Sequence, residues 1–288
     1  MQERAPRGVE HEHALKAPPA GTVERWCFDF VSAREVEAKL APAPLVLEAL
    51  GWEDDPPERG NIRPGRPEAW EVVRRSPPAP KLAALADPVS RAEMLHRFVH
   101  HELQAAELFA WAVLAFPRTP REFRAGLLRL CAEELVHMRL YLDHLRRLDV
   151  SFGTYGVRDW FWERVPLCAD PAAFVALQGI GLEGANLEHA ARYAAQFRAA
   201  GDERGACILE QIEHDEIAHV AFAKTWFERF TGAPLTFEAW KARLPAPLTP
   251  SVLQGRPINV SARRRAGLDD AFLEALAAAP PTGLRRTT

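Results

Sequence analysis

Two stretches of the chain repeat the same arrangement of acids and imidazoles at helical spacing. Glu102 is followed 32 residues later by Glu134, with His137 three further on in the run AEELVH. Glu183 is followed 33 residues later by Glu216, with His219 three further on in HDEIAH. Other positions keep step: Glu107 and Glu188 each lie five after the first glutamate, and Phe116 and Phe197 each fourteen after. An acid, Glu133 or Asp215, stands immediately before each Glu-x-x-His. Positions three and four apart share one face of an α-helix, so each glutamate can be assigned a stripe of neighbours. Glu102 shares its stripe with Leu95, Phe98, Val99, Ala106 and Phe109, and Glu134 with Leu127, Cys131, Met138 and Tyr141. Glu183 lies with Ala176, Ile180 and Leu187, and Glu216 with Leu209, Ile212, Val220 and Ala223.

A folding helix buries its apolar stripe, and here that carries four carboxylates into one interior. Unpaired and ionised there, each would cost several kcal/mol. Salt bridges to lysine or arginine are one remedy, but the stripes contain neither. Two divalent cations cancel four carboxylates, and two neutral imidazoles complete a ligand set without adding charge. The candidate metal ligands are therefore Glu102, Glu134, His137, Glu183, Glu216 and His219. Oxygen and nitrogen donors without sulfur favour iron or manganese over thiolate zinc or iron–sulfur sites. Two iron ions are the expected cofactor, with a manganese–iron pair as the variant. Glu133 and Asp215 are placed to orient the histidines through the second ring nitrogen. Tyr141, Glu107 and Glu188 are expected around the ligands, the two glutamates either there or on a solvated face, and Glu213 is a candidate extra ligand.

Punctuation by proline and glycine divides the chain. Pro-Pro occurs at 18–19, 56–57 and 77–78, so residues 1–88 read as a Pro-rich arm. Its apolar Trp26, Phe28, Phe30, Val31 and Trp70 predict that it packs on the main domain. Within it, Ser32 to Leu40 predicts one short helix capped by Ser32. Residues 89–232 predict four long helices, at roughly 89–116, 120–148, 171–200 and 203–231, each about 40 Å long at 1.5 Å per residue. Short links join the first pair and the last pair into antiparallel hairpins, while the aromatic-rich 149–170 forms one long crossover. That topology predicts an all-α, ferritin-like four-helix bundle, whose di-iron versions take one glutamate from each of two helices and Glu-x-x-His from the others. Residues 233–288 predict a C-terminal extension with one short helix, Leu268 to Ala278. Gly179, Gly181 and Gly184 surround Glu183 at a helix-interior cost of about 1 kcal/mol each against alanine. They predict either a close helix approach or a distorted backbone.

The segments HHELQAAEL, LEGANLE and the two Glu-x-x-His runs, with the tail RPINVSARRRAGLDDAFLEAL, resemble an uncharacterised ferritin-like family defined as a domain of unknown function. The likeness covers roughly residues 90–280. More distant similarity runs to tRNA-hydroxylating di-iron enzymes, quinone-biosynthesis hydroxylases and rubrerythrin. Their first ligand is a glutamate followed by x-x-Ala, which Glu102-Leu-Gln-Ala105 matches and which favours Glu102 over Glu107. Where those relatives often read Glu-Ala-Arg on the third helix, this chain reads Glu183-Gly-Ala.

The resemblance implies an oxidoreductase using dioxygen or peroxide, hydroxylase-type on an organic substrate, with a separate electron donor. A ferroxidase or iron-handling protein, and a non-catalytic interaction module working through the Trp-rich arm, are the alternatives. The net charge of −3 and pI near 6.4 lend no support to a nucleic-acid partner. No 18-residue apolar run is present, so no membrane is expected. MQERAPRGVEHEH lacks a signal-peptide core, and the four cysteines, Cys27, Cys131, Cys168 and Cys207, read as small buried hydrophobes. A cytoplasmic protein is expected, and a homodimer is compatible with the sequence.

Overall fold

A computed structural model describes residues 16–57, 59–60, 62–75 and 77–280; the first fifteen residues of the predicted arm lie outside them. Regular structure among the described residues is helical apart from two isolated bridges, Thr22 with Gly51 and Val72 with Val157. In the arm, α1 (Val23–Ser32) begins at Thr22, whose hydroxyl accepts the Arg25 N–H at 3.1 Å, and α2 spans Val36–Leu40. The single helix predicted from Ser32 is corrected by this. Ser32 closes α1, its hydroxyl donating to the Phe28 carbonyl at 2.7 Å, because the apolar run Val23 to Val31 forms a helix of its own.

Four long helical stretches make the centre. The first, α3 (Pro88–Ala115), is capped by Asp87, and α4 (Arg121–Arg147) follows a five-residue link. After the crossover come α5 (Pro171–Phe174), a continuous π-helical segment (Val175–Glu183) and α6 (Gly184–Ala199). The last is α7 (Glu203–Thr231), which ends in a left-handed Gly232 with φ +68°, a conformation glycine adopts without penalty. α3 packs along α4, α6 along α7, and α4 meets α7 across the two hairpins. From Glu102 to Ala115 every residue of α3 is buried. A helix enclosed on all sides needs cover beyond its bundle neighbours, and α1 supplies it, burying Val23, Cys27, Phe30 and Val31.

The C-terminal extension holds three short helices where one was expected: α8 (Phe237–Arg243), α9 (Val260–Arg265) and α10 (Asp270–Ala278). The two extra ones are only six or seven residues long, too short for a hydrophobic period to declare itself in sequence. Of the cysteines, Cys27, Cys131 and Cys168 are buried as expected, whereas Cys207 is exposed. No helix among the described residues is long and apolar enough to cross a membrane.

The third long helix departs most from expectation. Its segment Val175–Glu183 is wound more widely than an α-helix, and the N–H of Gly184 reaches the carbonyl of Gly179, five residues back. Such winding is rare and concentrates at functional sites. The glycines serve both predicted purposes. A Cβ at Gly179 would collide with that of Ala223 on α7, so the helices meet closely where the backbone is also distorted. Groups from the C-terminal extension brace this stretch. The Trp240 indole donates to the Ala176 carbonyl at 2.8 Å, and Arg263 donates to the Gly184 carbonyl at 2.8 Å. Leu253 lies against Gly181.

Candidate metal centre

The four long stretches bring the six predicted ligands together. Glu102 comes from α3, Glu134 and His137 from α4, Glu183 from the end of the π segment, and Glu216 and His219 from α7. All six are buried, none more than 5% exposed. Ligand atoms of Glu102, Glu134, His137 and Glu216 lie within 4.8 Å of one another, as do those of Glu134, Glu183, Glu216 and His219. Glu134 and Glu216 belong to both quartets. The geometry is thus two adjoining groups of four side chains that could each hold a metal ion, sharing two carboxylates, with one glutamate and one histidine closing each end.

Electrostatics mark the same spot. Both oxygens of Glu134, Oε2 of Glu216 and the Nδ1 atoms of His137 and His219 are buried without a hydrogen-bond partner among the described residues. Native interiors rarely leave such groups unmatched, and here five orphaned atoms face one point. The His219 Nδ1 lies 3.0 Å from Glu134 Oε1 and 3.1 Å from Glu216 Oε2. Among the described residues no lysine or arginine pairs with any of the six. Burial, then the neighbouring carboxylate of Glu134, raises the Glu102 carboxyl far above the usual range, and burial with Glu216 does the same to Glu183. Desolvation would raise Glu134 as well, but contacts from His137, His219 and Glu102 outweigh it and lower that carboxyl. For His219, desolvation is overcome by Glu216, Glu133 and Glu134, so its imidazole is raised. The donor set suits two cations that would replace this strained sharing of protons.

Each histidine is held from behind by an acid of the opposite half. His219 Nε2 meets Glu133 Oε2 at 2.8 Å, and His137 Nε2 meets Asp215 Oδ2 at 3.3 Å. The sequence left open which acid serves which histidine; the fold pairs each across the two halves. With Nε2 occupied, Nδ1 is left to face the carboxylates. Tyr141 is buried nearby, its phenol raised by desolvation and by Glu102, Glu216 and Glu134.

Glu107 and Glu188 are buried but turned to other work. Glu107 accepts from Lys39 Nζ at 2.6 Å, from Arg66 at 2.7 and 2.9 Å, and from the Trp162 indole at 2.8 Å. Glu188 accepts from Arg263 at 2.7 and 2.8 Å and from the N–H groups of Gly255 and Asn259, both at 2.9 Å. The sequence left these glutamates either around the ligands or on a solvated face; both are buried, and the repeat-equivalent pair fasten the arm on one side and the C-terminal extension on the other. Their partners lie 41 to 75 residues away in sequence, beyond the reach of any local pattern. Glu213 lies outside both quartets and accepts from the Asn259 amide at 2.8 Å.

Two contacts to the ligands were absent from the sequence reading. Asn186 donates to Glu216 Oε1 at 2.8 Å, and the Gln178 amide donates to Glu183 Oε1. Asn186 stands three after Glu183, a same-face spacing that could have been noticed. Gln178 stands five before it, a spacing that shares a face only when the helix is wound wide.

Residues 32–274 match the model of a family described as "Protein of unknown function (DUF455)". No curated protein and no solved structure matches the chain.

Proposed function

The chain belongs to the DUF455 family, and for this member we propose a dinuclear metal oxidoreductase of ferritin-like architecture, hydroxylating an organic substrate with dioxygen or peroxide. In this reading Glu102, Glu134, His137, Glu183, Glu216 and His219 hold two iron ions, with manganese at one position as the variant. The observation that carries it is the sharing of Glu134 and Glu216 between two ligand quartets. A carboxylate has two oxygens and can bridge two cations, whereas a single-metal site has no use for the duplication.

When bound, such a pair supplies redox chemistry with oxygen. With dioxygen the balance is R–H + O2 + two electrons + two protons → R–OH + H2O, the electrons coming from a separate reductant. The chain contributes position and environment. Glu133 and Asp215 fix the imidazole orientation, Asn186 and Gln178 fix carboxylates of Glu216 and Glu183, and Phe109 and Tyr141 keep the interior dry. The C-terminal extension holds the π segment in the shape that presents Glu183.

Metal analysis of protein produced in iron-supplied cells, paired with oxygen uptake by its reduced form, tests the reading. About two metals per chain and uptake that depends on them are expected. Fewer than one metal per chain ends it. A closed shell of many subunits taking up iron without an organic substrate would favour the iron-handling alternative instead.

A further inference from the structure

A cavity of about 250 Å3 adjoins the candidate metal centre, with the ligands Glu102 and Glu183 among its walls. We propose that it binds a flat, uncharged organic ring bearing an N–H or O–H donor. The proposal rests on the dimetal reading for its functional meaning, but its own basis is the chemistry of these walls.

Both ligand glutamates are buried, whereas Trp160, Phe161 and Val252 are half-buried, so the cavity runs from the protein surface to the metal ligands. It opens where the π segment returns to α-helical winding, flanked by Leu182, Glu183 and Ala185. The wide winding that displaces the helix is what leaves this room.

Size comes first. Pockets for drug-sized ligands run from about 300 Å3 upward, so this one suits a single ring system or the ring end of a larger molecule. Charge comes next. No lysine or arginine lines it, and its only acids are Glu102 and Glu183, whose charge belongs to the metals. His101 and His189 also line it, their imidazoles lowered to about 3 and about 4 chiefly by desolvation and so neutral near pH 7; an anion would find no charged partner and a cation would compete with the metals, each at the cost of burying an unpaired charge. Shape follows from Trp160 and Phe161, whose ring centroids are 5.7 Å apart at an interplanar angle of 77°. Two rings at that angle offer one face and one edge to a third ring. Beside the two glutamates, His101, His189 and Asn186 supply the polar atoms, and the acceptor is assigned to Asn186. Its amide nitrogen donates to Glu216, while its carbonyl oxygen has no hydrogen bond among the described residues and is free to accept.

Indole has the size, flatness, neutrality and N–H donor required, and it serves as the probe. Binding is measured by equilibrium dialysis on the full chain, iron-loaded and without reductant, so that it does not depend on turnover. Saturable binding of one indole per chain is expected, with 1-methylindole, benzoate and benzylamine each at least threefold weaker. Ala185→Phe, which fills the cavity, is expected to weaken indole binding at least tenfold. Trp160→Ala, at a half-buried position that tolerates truncation, is expected to weaken it at least threefold, and it decides the matter if Ala185→Phe does not fold.

Absence of saturable indole binding overturns the proposal, and so does a folded Ala185→Phe or Trp160→Ala that binds indole as the unaltered chain does. Benzoate or benzylamine binding more tightly than indole overturns the assigned charge class. Metal content is read separately on iron-loaded samples. Two metals without indole binding remove the cavity assignment alone. Indole binding with no metal supports the cavity and removes the dimetal reading.

Discussion

Nε2 of His219 lies 2.8 Å from the carboxylate of Glu133, a residue of the opposite hairpin. The half-exposed acid thereby fixes the tautomer of a fully buried imidazole and aims its Nδ1 at Glu134 and Glu216. Acids placed behind metal-binding histidines are worth about 10–100-fold in affinity. Glu133→Ala is therefore expected to weaken metal binding by about that factor, read by competition with a chelating dye. Glu133→Gln, which can still accept a hydrogen bond, is expected to lose less. Equal affinity in all three proteins would show that the contact does not orient a ligand.

Removing a ligand has a larger effect. Glu216→Ala takes away a carboxylate shared by both quartets, and His137→Ala takes away an end ligand. Each is expected to hold at least one metal fewer per chain than the unaltered protein, measured by elemental analysis. Metal stabilises by mass action, by about 2.7 kcal/mol at a free concentration one hundred times Kd. Chelator is therefore expected to lower the unfolding temperature of the unaltered protein and to leave that of Glu216→Ala nearly where it stands. Unchanged metal content in both variants would refute the ligand assignment.

The arm's attachment is tested away from the candidate metal centre. Lys39 and Glu107 are fully buried, 2.6 Å apart, with Arg66 completing the group. Burial lowers the Lys39 ammonium on balance even against the charge of Glu107, whereas Arg66 and Lys39 outweigh the burial of Glu107 and lower its carboxyl. Breaking a buried pair by removing one partner costs about 3–5 kcal/mol. Lys39→Met is expected to destabilise by that order in urea unfolding, and to speed cleavage of the arm in limited proteolysis. A loss below about 1 kcal/mol would mean that the arm is held by its apolar contacts alone.

Acid sensitivity has a specific source in His96. Its Nε2 accepts the Gly153 N–H at 2.9 Å, which requires an unprotonated ring nitrogen. Burial, with His100 and Arg97 nearby, lowers this imidazole from 6.5 to about 4. Between those values the unfolded chain takes up a proton that the folded chain refuses. Stability therefore rises with pH across this window, is fully present above 6.5 and is lost as pH falls toward 4. The contribution is at most about 3.4 kcal/mol at 1.36 kcal/mol per unit. His96→Gln keeps an acceptor for Gly153 and is expected to flatten the decline in denaturation midpoint between pH 6.5 and 4. An unchanged slope would place the sensitivity elsewhere.

The sequence disclosed the site more fully than its surroundings, for a physical reason. Glu102, Glu134, Glu183 and Glu216 are charges in otherwise apolar stripes, and a helix repeats its face every few residues, so local pattern suffices to place them together. The crossing of Glu133 to His219 and Asp215 to His137 depends on how one hairpin meets the other, which spacing within a hairpin does not encode. Lys39, Arg66 and Arg263 look like ordinary solvated cations until their long-range partners are known. The boundaries of the four long helices are legible because proline and glycine mark them. Val23–Ser32 was missed because its apolar residues were read as arm packing rather than as one face of a helix.

The wide winding of Val175–Glu183 also fixes how this stretch can vary. A bulge of surplus backbone lets the helix on either side of it keep its facing. Were the same nine residues to rewind as ordinary helix at 3.6 residues per turn, everything beyond them would swing around the axis and take Glu183 out of line with Glu216. A descendant of this chain that keeps all nine residues must therefore keep the wide winding as well.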